Sequence, residues 1–200
     1  MGVLVGRAAP DFTCSAVLGN GEIVDDFNLT SAIKGKKAVV FFYPLDFTFV
    51  CPSELLAFDH RIDEFNKRGV EVIGVSIDSH FSHNAWRNTP INEGGIGPVK
   101  YTLAADMTHQ ICKAYDVESE GGMAYRGSFL IDEAGDVRHQ VVNDLPLGRN
   151  VDEMLRMVDA LAFHQEHGEV CPAGWKEGDK GMVDSPDGVA AYLSEHADKL

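Results

Sequence analysis

Six consecutive apolar residues, Ala38-Val-Val-Phe-Phe-Tyr43, stop at Pro44 and place the strongest limit on what this chain can fold into. A short run of β-branched and aromatic residues ended by a proline reads as a buried strand of a central sheet. The chain then passes through Pro44-Leu-Asp-Phe-Thr-Phe-Val-Cys51-Pro52, and beyond it Leu55, Leu56, Phe58, Ile62 and Phe65 recur at helical spacing. Pro52 suits a first helical turn, where its missing N–H costs nothing. Cys51 is therefore expected at or near a helix N-terminus. Unpaired backbone N–H groups and the positive end of the helix dipole stabilise a thiolate at such a position, which is where a sulfur nucleophile belongs.

The rest of the chain alternates in the same way. Phe12–Val17 and Ile23–Leu29 flank Gly19-Asn-Gly21 and predict an N-terminal hairpin. Strands are predicted at Ala38–Tyr43, Val70–Ile77, Tyr101–Ala104, Gly127–Ile131 and Val137–Val142, and helices at Ser53–Lys67, Ser79–Asn88, His109–Tyr115 and Val151–Glu166. This order implies an α/β fold, a central mixed sheet flanked by helices, with an antiparallel hairpin turning at Glu133-Ala-Gly135. After Glu166 the character changes to Gly/Asp/Lys-rich sequence around Cys171, closing with a helix candidate from Gly188 to Lys199. A segment of that size cannot build its own core, so residues 1–166 read as one domain and residues 167–200 as an arm that packs on it, wraps a neighbouring subunit or moves.

Formal charge is −14 with a pI near 4.8, so nucleic acid and anionic lipid surfaces would be repelled. The first ten residues lack the basic start and apolar stretch of a secretory signal, giving the expectation of a cytoplasmic protein without a membrane span. The four cysteines, at 14, 51, 112 and 171, are too few for a disulfide scaffold. No CxxC, no zinc-type Cys/His spacing and no ligand pattern among the histidines occurs, so neither a metal nor a cofactor is expected. Gly94-Gly-Ile-Gly97 lacks the strand-then-helix surroundings of a phosphate cradle. Cys14 and Cys112 read as inert thiols and Trp86 as packing.

A thiolate that attacks an O–O bond needs the developing charge stabilised and the leaving oxygen held in line. Thr48 can place a hydroxyl near the sulfur, Pro44 fixes the turn and shields the pocket, and a guanidinium would be the natural complement to the anion. The string Phe-Tyr-Pro-Leu-Asp-Phe-Thr-Phe-Val-Cys-Pro-Ser-Glu, with Pro44, Thr48 and Cys51 in a Pro-x-x-x-Thr-x-x-Cys pattern, resembles the peroxiredoxins. Within that family it is most similar to the typical two-cysteine subgroup, which includes peroxiredoxin I and alkyl hydroperoxide reductase C. The resemblance spans nearly the whole chain.

It implies a thioredoxin-like fold and a thiol peroxidase in which Cys51 reduces hydrogen peroxide or organic hydroperoxides and becomes a sulfenic acid. Arg126 would be the active-site arginine, with Glu54 and Arg149 orienting it. Cys171, in Glu169-Val-Cys-Pro-Ala-Gly-Trp175, would be the resolving cysteine of a partner subunit, forming an intersubunit disulfide that thioredoxin or a flavoprotein disulfide reductase reopens. The helix after Cys51 would have to unwind locally for the sulfurs to meet. The resemblance further implies a homodimer assembling into a decamer through the Asp78–Phe81 region, and a C-terminal Tyr-Phe pair that here reads Tyr192-Leu193. A holdase chaperone is a second reading of the same assembly. A thiol-disulfide oxidoreductase is disfavoured, because no local dithiol is present.

Overall fold

The computed structural model describes residues 2–200, and the chain divides into two compact units after Val151. The first unit is built on a seven-stranded mixed sheet in the order β2-β1-β5-β4-β3-β6-β7. Its strands are β1 (Thr13–Val17), β2 (Ile23–Asn28), β3 (Lys37–Phe42), β4 (Val70–Ser76), β5 (Thr102–Ala105), β6 (Arg126–Ile131) and β7 (Val137–Asn143). β3, β4 and β5 run parallel to one another, and every other pairing is antiparallel. The two hairpins turn where the glycines were read: Gly21 and Gly135 both have positive φ, and Asp132 accepts hydrogen bonds from the amides of Ala134 and Asp136.

β3 lies inside the sheet, with Val40 opposite Ile73 of β4 on one side and Phe129 of β6 on the other. Alternation along it divides the core. Val40 and Phe42 join Ile111, Cys112 and Tyr115, from and just after helix α5 (Gln110–Ala114). On the opposite face Phe41 stacks on Phe58 at 4.1 Å between ring centroids and meets Tyr101 edge-on at 5.7 Å. Both faces of the apolar run are covered, as its composition requires.

Local chemistry moves several predicted boundaries. The strand expected to reach Leu29 stops at Asn28, whose side chain accepts from Ser31 N and caps a single helical turn, α1 (Leu29–Ala32). The helix expected over Ser53–Lys67 is two: α2 (Cys51–Asp59) and α3 (Ile62–Lys67). At the break Arg61 N bonds to Phe58 O, three residues back, and Arg61 leaves helical geometry at φ −111°, ψ 5°. The apolar spacing runs through this break unaltered, so periodicity does not register it. α4 (His80–Asn88) is capped by Ser79, and α5 begins after His109 because that residue adopts φ 61°. A 3₁₀ turn, Ile91–Glu93, follows α4.

The second unit comprises most of α6 (Val151–His167), the Cys171 segment, α7 (Pro186–His196) and a closing 3₁₀ turn, Ala197–Lys199. α7 starts two residues before the predicted Gly188, with Ser185 accepting from Gly188 N and Pro186 in the first turn. The contact division thus assigns α6 to the C-terminal part. Among the described residues no helix is long and apolar enough to cross a membrane, and no group of three or more His, Cys, Asp or Glu side chains could hold a metal ion.

Candidate active site

Beyond β3 the chain turns at the buried Pro44 and enters α2 at its first residue, Cys51, which is 1% exposed. Phe47, in the connecting loop, adopts φ 54°, an uncommon conformation for a bulky residue. Val50 caps α2 with no side-chain hydrogen bond, and Glu54 lies in the first turn of the helix. Thr48 donates its hydroxyl to Leu45 O at 2.8 Å, which leaves its oxygen to act as an acceptor toward any molecule in the loop.

Two arginines and one glutamate converge on the sulfur. Arg126, the first residue of β6, places Nη1 3.4 Å from Cys51 Sγ and 2.6 Å from Glu54 Oε2, while its Nε donates to Leu145 O at 2.7 Å. Glu54, one turn into α2, also receives Arg149 N and Nε on Oε1, both at 2.9 Å, and Arg149 Nη2 on Oε2 at 3.0 Å. Arg149 Nη1 donates to Phe42 O at 2.7 Å and Gly127 O at 2.8 Å, and its guanidinium lies 5.0 Å from the centre of the Phe41 ring. One carboxylate between two cations leaves a net single positive charge, which a sulfur anion neutralises. Burial acts to lower the Arg126 guanidinium, but the hydrogen bond to Cys51 and the charge of Glu54 outweigh it and hold its pKa raised. Burial lowers that of Arg149 against the pull of Glu54.

The structure therefore gathers Cys51, Glu54, Arg126 and Arg149 into one cluster, with Pro44 and Thr48 on the loop leading into it. Cys171 belongs to the second unit, where its Sγ–H donates to Ala160 O at 3.4 Å. All four thiols are unpaired. Burial pushes the Cys14 thiol up to about 11 and raises Cys112 further, with Asp106 adding to the effect there, so both match the inert reading.

Sequence reasoning missed what supports the loop. Asp46, 7% exposed, accepts from Tyr43 OH at 2.9 Å and pairs with His83 Nδ1 at 2.8 Å, while its amide donates to Asp78 Oδ2 at 2.8 Å. Trp86 packs against Phe47 and Tyr43 and donates Nε1–H to Gly94 O at 2.8 Å. Gly95 follows, where a Cβ would sit 1.9 Å from Thr89 O, so glycine is required there by close backbone approach. Asp46 lies inside the recognisable loop motif, but no local pattern links it to His83.

A buried thiol at a helix N-terminus, paired with a guanidinium on a mixed α/β sheet, defines a thioredoxin-like thiol enzyme. Residues 5–140 match the AhpC/TSA family, and residues 160–195 match the C-terminal domain of 1-Cys peroxiredoxin. Alkyl hydroperoxide reductase C of Helicobacter pylori is 56% identical over 99% of this chain and its own full length. Peroxiredoxin-2 of Macaca fascicularis is 50% identical over 96% of each chain. The reduced 2-Cys peroxiredoxin of Plasmodium vivax superposes with a TM-score of 0.93 at 47% identity, covering 96% of this chain and 99% of that one. The chain belongs to the AhpC/TSA family of peroxiredoxins, and it is a thiol-dependent peroxidase of thioredoxin-like fold.

Proposed function

We propose that Cys51 is the peroxidatic nucleophile of this peroxidase and that Arg126 holds both the sulfur and the incoming peroxide. The observation that carries this is the 3.4 Å approach of Arg126 Nη1 to Cys51 Sγ, with the same nitrogen fixed by Glu54 at 2.6 Å. The thiolate attacks one peroxide oxygen, the O–O bond breaks, and the leaving oxygen departs as water or alcohol after taking up a proton. The products are Cys51 sulfenic acid and the reduced peroxide. Arg126 offers directed donors to the charge moving onto oxygen. Thr48, its own hydrogen committed to Leu45 O, accepts a hydrogen bond from the hydroperoxide O–H and orients it. Glu54 and Arg149 hold Arg126, and the buried Pro44 keeps water from the sulfur.

Cys171 is the resolving thiol: it condenses with the sulfenic acid of a partner subunit, releasing water and forming an intersubunit disulfide. Residues 1–166 serve as the peroxidase domain and 167–200 as the arm that carries this thiol. A homodimer is thus the minimal working unit, and dimers assemble into a decamer. Phe81, 69% exposed within the Asp78–Phe81 region, supports a contact between dimers there. The reductant is thioredoxin or a flavoprotein disulfide reductase, and the expected compartment is the cytoplasm.

Stopped-flow oxidation by hydrogen peroxide tests the assignment. Cys51→Ser should consume no peroxide, and Arg126→Met should slow the second-order step by at least about a hundredfold, the loss typical of one oxyanion donor. An unchanged rate in Arg126→Met would remove the guanidinium from the mechanism. Cys171→Ser should reduce one equivalent of peroxide yet give no disulfide-linked dimer on a non-reducing gel.

A further inference from the structure

The loop that carries Thr48 is held from beneath by a buried polar network. Asp46, two residues before Thr48, accepts from Tyr43 OH on Oδ1 at 2.9 Å and from His83 Nδ1 on Oδ2 at 2.8 Å, and its own amide donates to Asp78 Oδ2 at 2.8 Å. Ser76 Oγ donates to the same Asp78 oxygen at 2.9 Å, and His83 Nε2 lies 3.3 Å from Ala104 O. Tyr43 and His83 are fully buried. Burial and the Asp46 charge raise the Tyr43 hydroxyl well above its ordinary value, so it remains a donor. Asp46 is therefore tied to the end of β3, the end of β4 and α4 at once.

The neighbours of Asp46 on either side bear on Thr48. Leu45 supplies the carbonyl to which Thr48 donates at 2.8 Å. Phe47 is held at φ 54°, where a bulky residue is strained and stays only if its surroundings fix the backbone. Its ring, 54% exposed, leans on Trp86 at 5.7 Å between centroids, and Asp46 fixes the backbone that enters it.

We propose that His83 and Asp46 are positioning residues for the peroxide step, their bond setting the Leu45–Phe47 backbone and through it the direction in which Thr48 presents its hydroxyl. The inference rests on Thr48 orienting the peroxide. A buried carboxylate that loses one of its two side-chain donors must turn to another partner or draw in water, because an unsatisfied charge there is costly. Either change moves Asp46 and lets Phe47 relax to negative φ. Leu45 O then turns from Thr48, whose hydroxyl is free to rotate and no longer offers the hydroperoxide a fixed acceptor.

The test compares Thr48→Val, His83→Leu, the two combined, and His83→Asn, whose amide N–H takes the place of Nδ1–H. Reduced full-length protein is mixed with hydrogen peroxide below each variant's thermal midpoint, and rapid-quench consumption gives the second-order rate constant. His83→Leu should slow the step by about tenfold to a hundredfold, the upper figure being the cost of a ~1 Å misplacement, and by no more than Thr48→Val does. The double variant should match Thr48→Val alone, since a clamp that acts through one hydroxyl has nothing to position once it is gone. His83→Asn should recover most of the wild-type rate. Should His83→Leu fail to fold, Tyr43→Phe, which removes only the donor to Oδ1, takes its place in the cycle. A wild-type rate in the clamp variant, a fully additive loss in the double variant, or no recovery in His83→Asn overturns the clamp, whatever the change in stability. If Thr48→Val itself reacts at the wild-type rate, the role of Thr48 fails and the clamp with it; if Thr48→Val is slow and His83→Leu is not, the clamp alone fails.

Discussion

Glu54→Gln isolates the charge on which the cluster turns. The carboxylate is 3% exposed and accepts four hydrogen bonds from Arg126 and Arg149 at 2.6 to 3.0 Å. Glutamine keeps the shape, but its NH₂ must face a guanidinium on one side, and the two arginines are left as an uncompensated buried pair. Breaking a buried ion pair by removing one partner costs about 3–5 kcal/mol. The lower end applies here, since the amide oxygen still accepts and Arg149 retains Phe42 O, Gly127 O and the Phe41 ring. For a chain of this size each kcal/mol shifts Tm by about 2–4 °C, so the midpoint should fall by roughly 6–12 °C. The peroxide step should slow as well, because Arg126 loses the 2.6 Å bond that aims it. Differential scanning fluorimetry and stopped-flow oxidation on the same preparation read both effects. A wild-type midpoint would refute the view that this carboxylate offsets two buried cations, and a lowered midpoint with an unaltered oxidation rate would refute its part in aiming Arg126.

Gly74→Ala, in the parallel core, would bring a Cβ to 2.8 Å from Phe41 and 3.1 Å from Leu103; overpacking of this kind costs about 1–3 kcal/mol, and urea unfolding should give a correspondingly lower midpoint with an unchanged slope. Cys14 should resist iodoacetamide at pH 8 and react readily only as pH approaches its value of about 11, which peptide mapping by mass spectrometry can follow. The same shift acts on stability. A thiol raised in the fold stays neutral there while the unfolded chain ionises, so its contribution is intact below the ordinary thiol value of 9.0 and is lost as pH rises from there toward about 11; Cys14→Ala should flatten that part of the stability profile, and an unaltered alkaline limb would count against it.

The local features were legible because their causes are local. A run of apolar residues ending at Pro44, and a cysteine followed by Pro52 and a helical repeat, specify strand, turn and helix start within a few residues of one another, and α2 does begin at Cys51. The pairing of Glu54 with Arg126 and Arg149 is invisible to periodicity, since these groups lie 72 and 95 residues apart, and only the resemblance to a family points to them. Their convergence follows from sheet order: β6 pairs with β3, which sets Arg126 beside the end of the strand that delivers Cys51.

What the sequence by itself determined is where the apolar faces lie and where a reactive sulfur can sit, because those depend on residues three or four apart. The tertiary structure decided the rest. It split the predicted helix at Arg61 and set Asp46 against His83 beneath the loop. It also aligned Arg156, Ala160 and His164 with the Cys171 segment. Buried polar groups must be satisfied by whatever donor or acceptor the fold brings near, and that partner is chosen by topology rather than by neighbours in the chain.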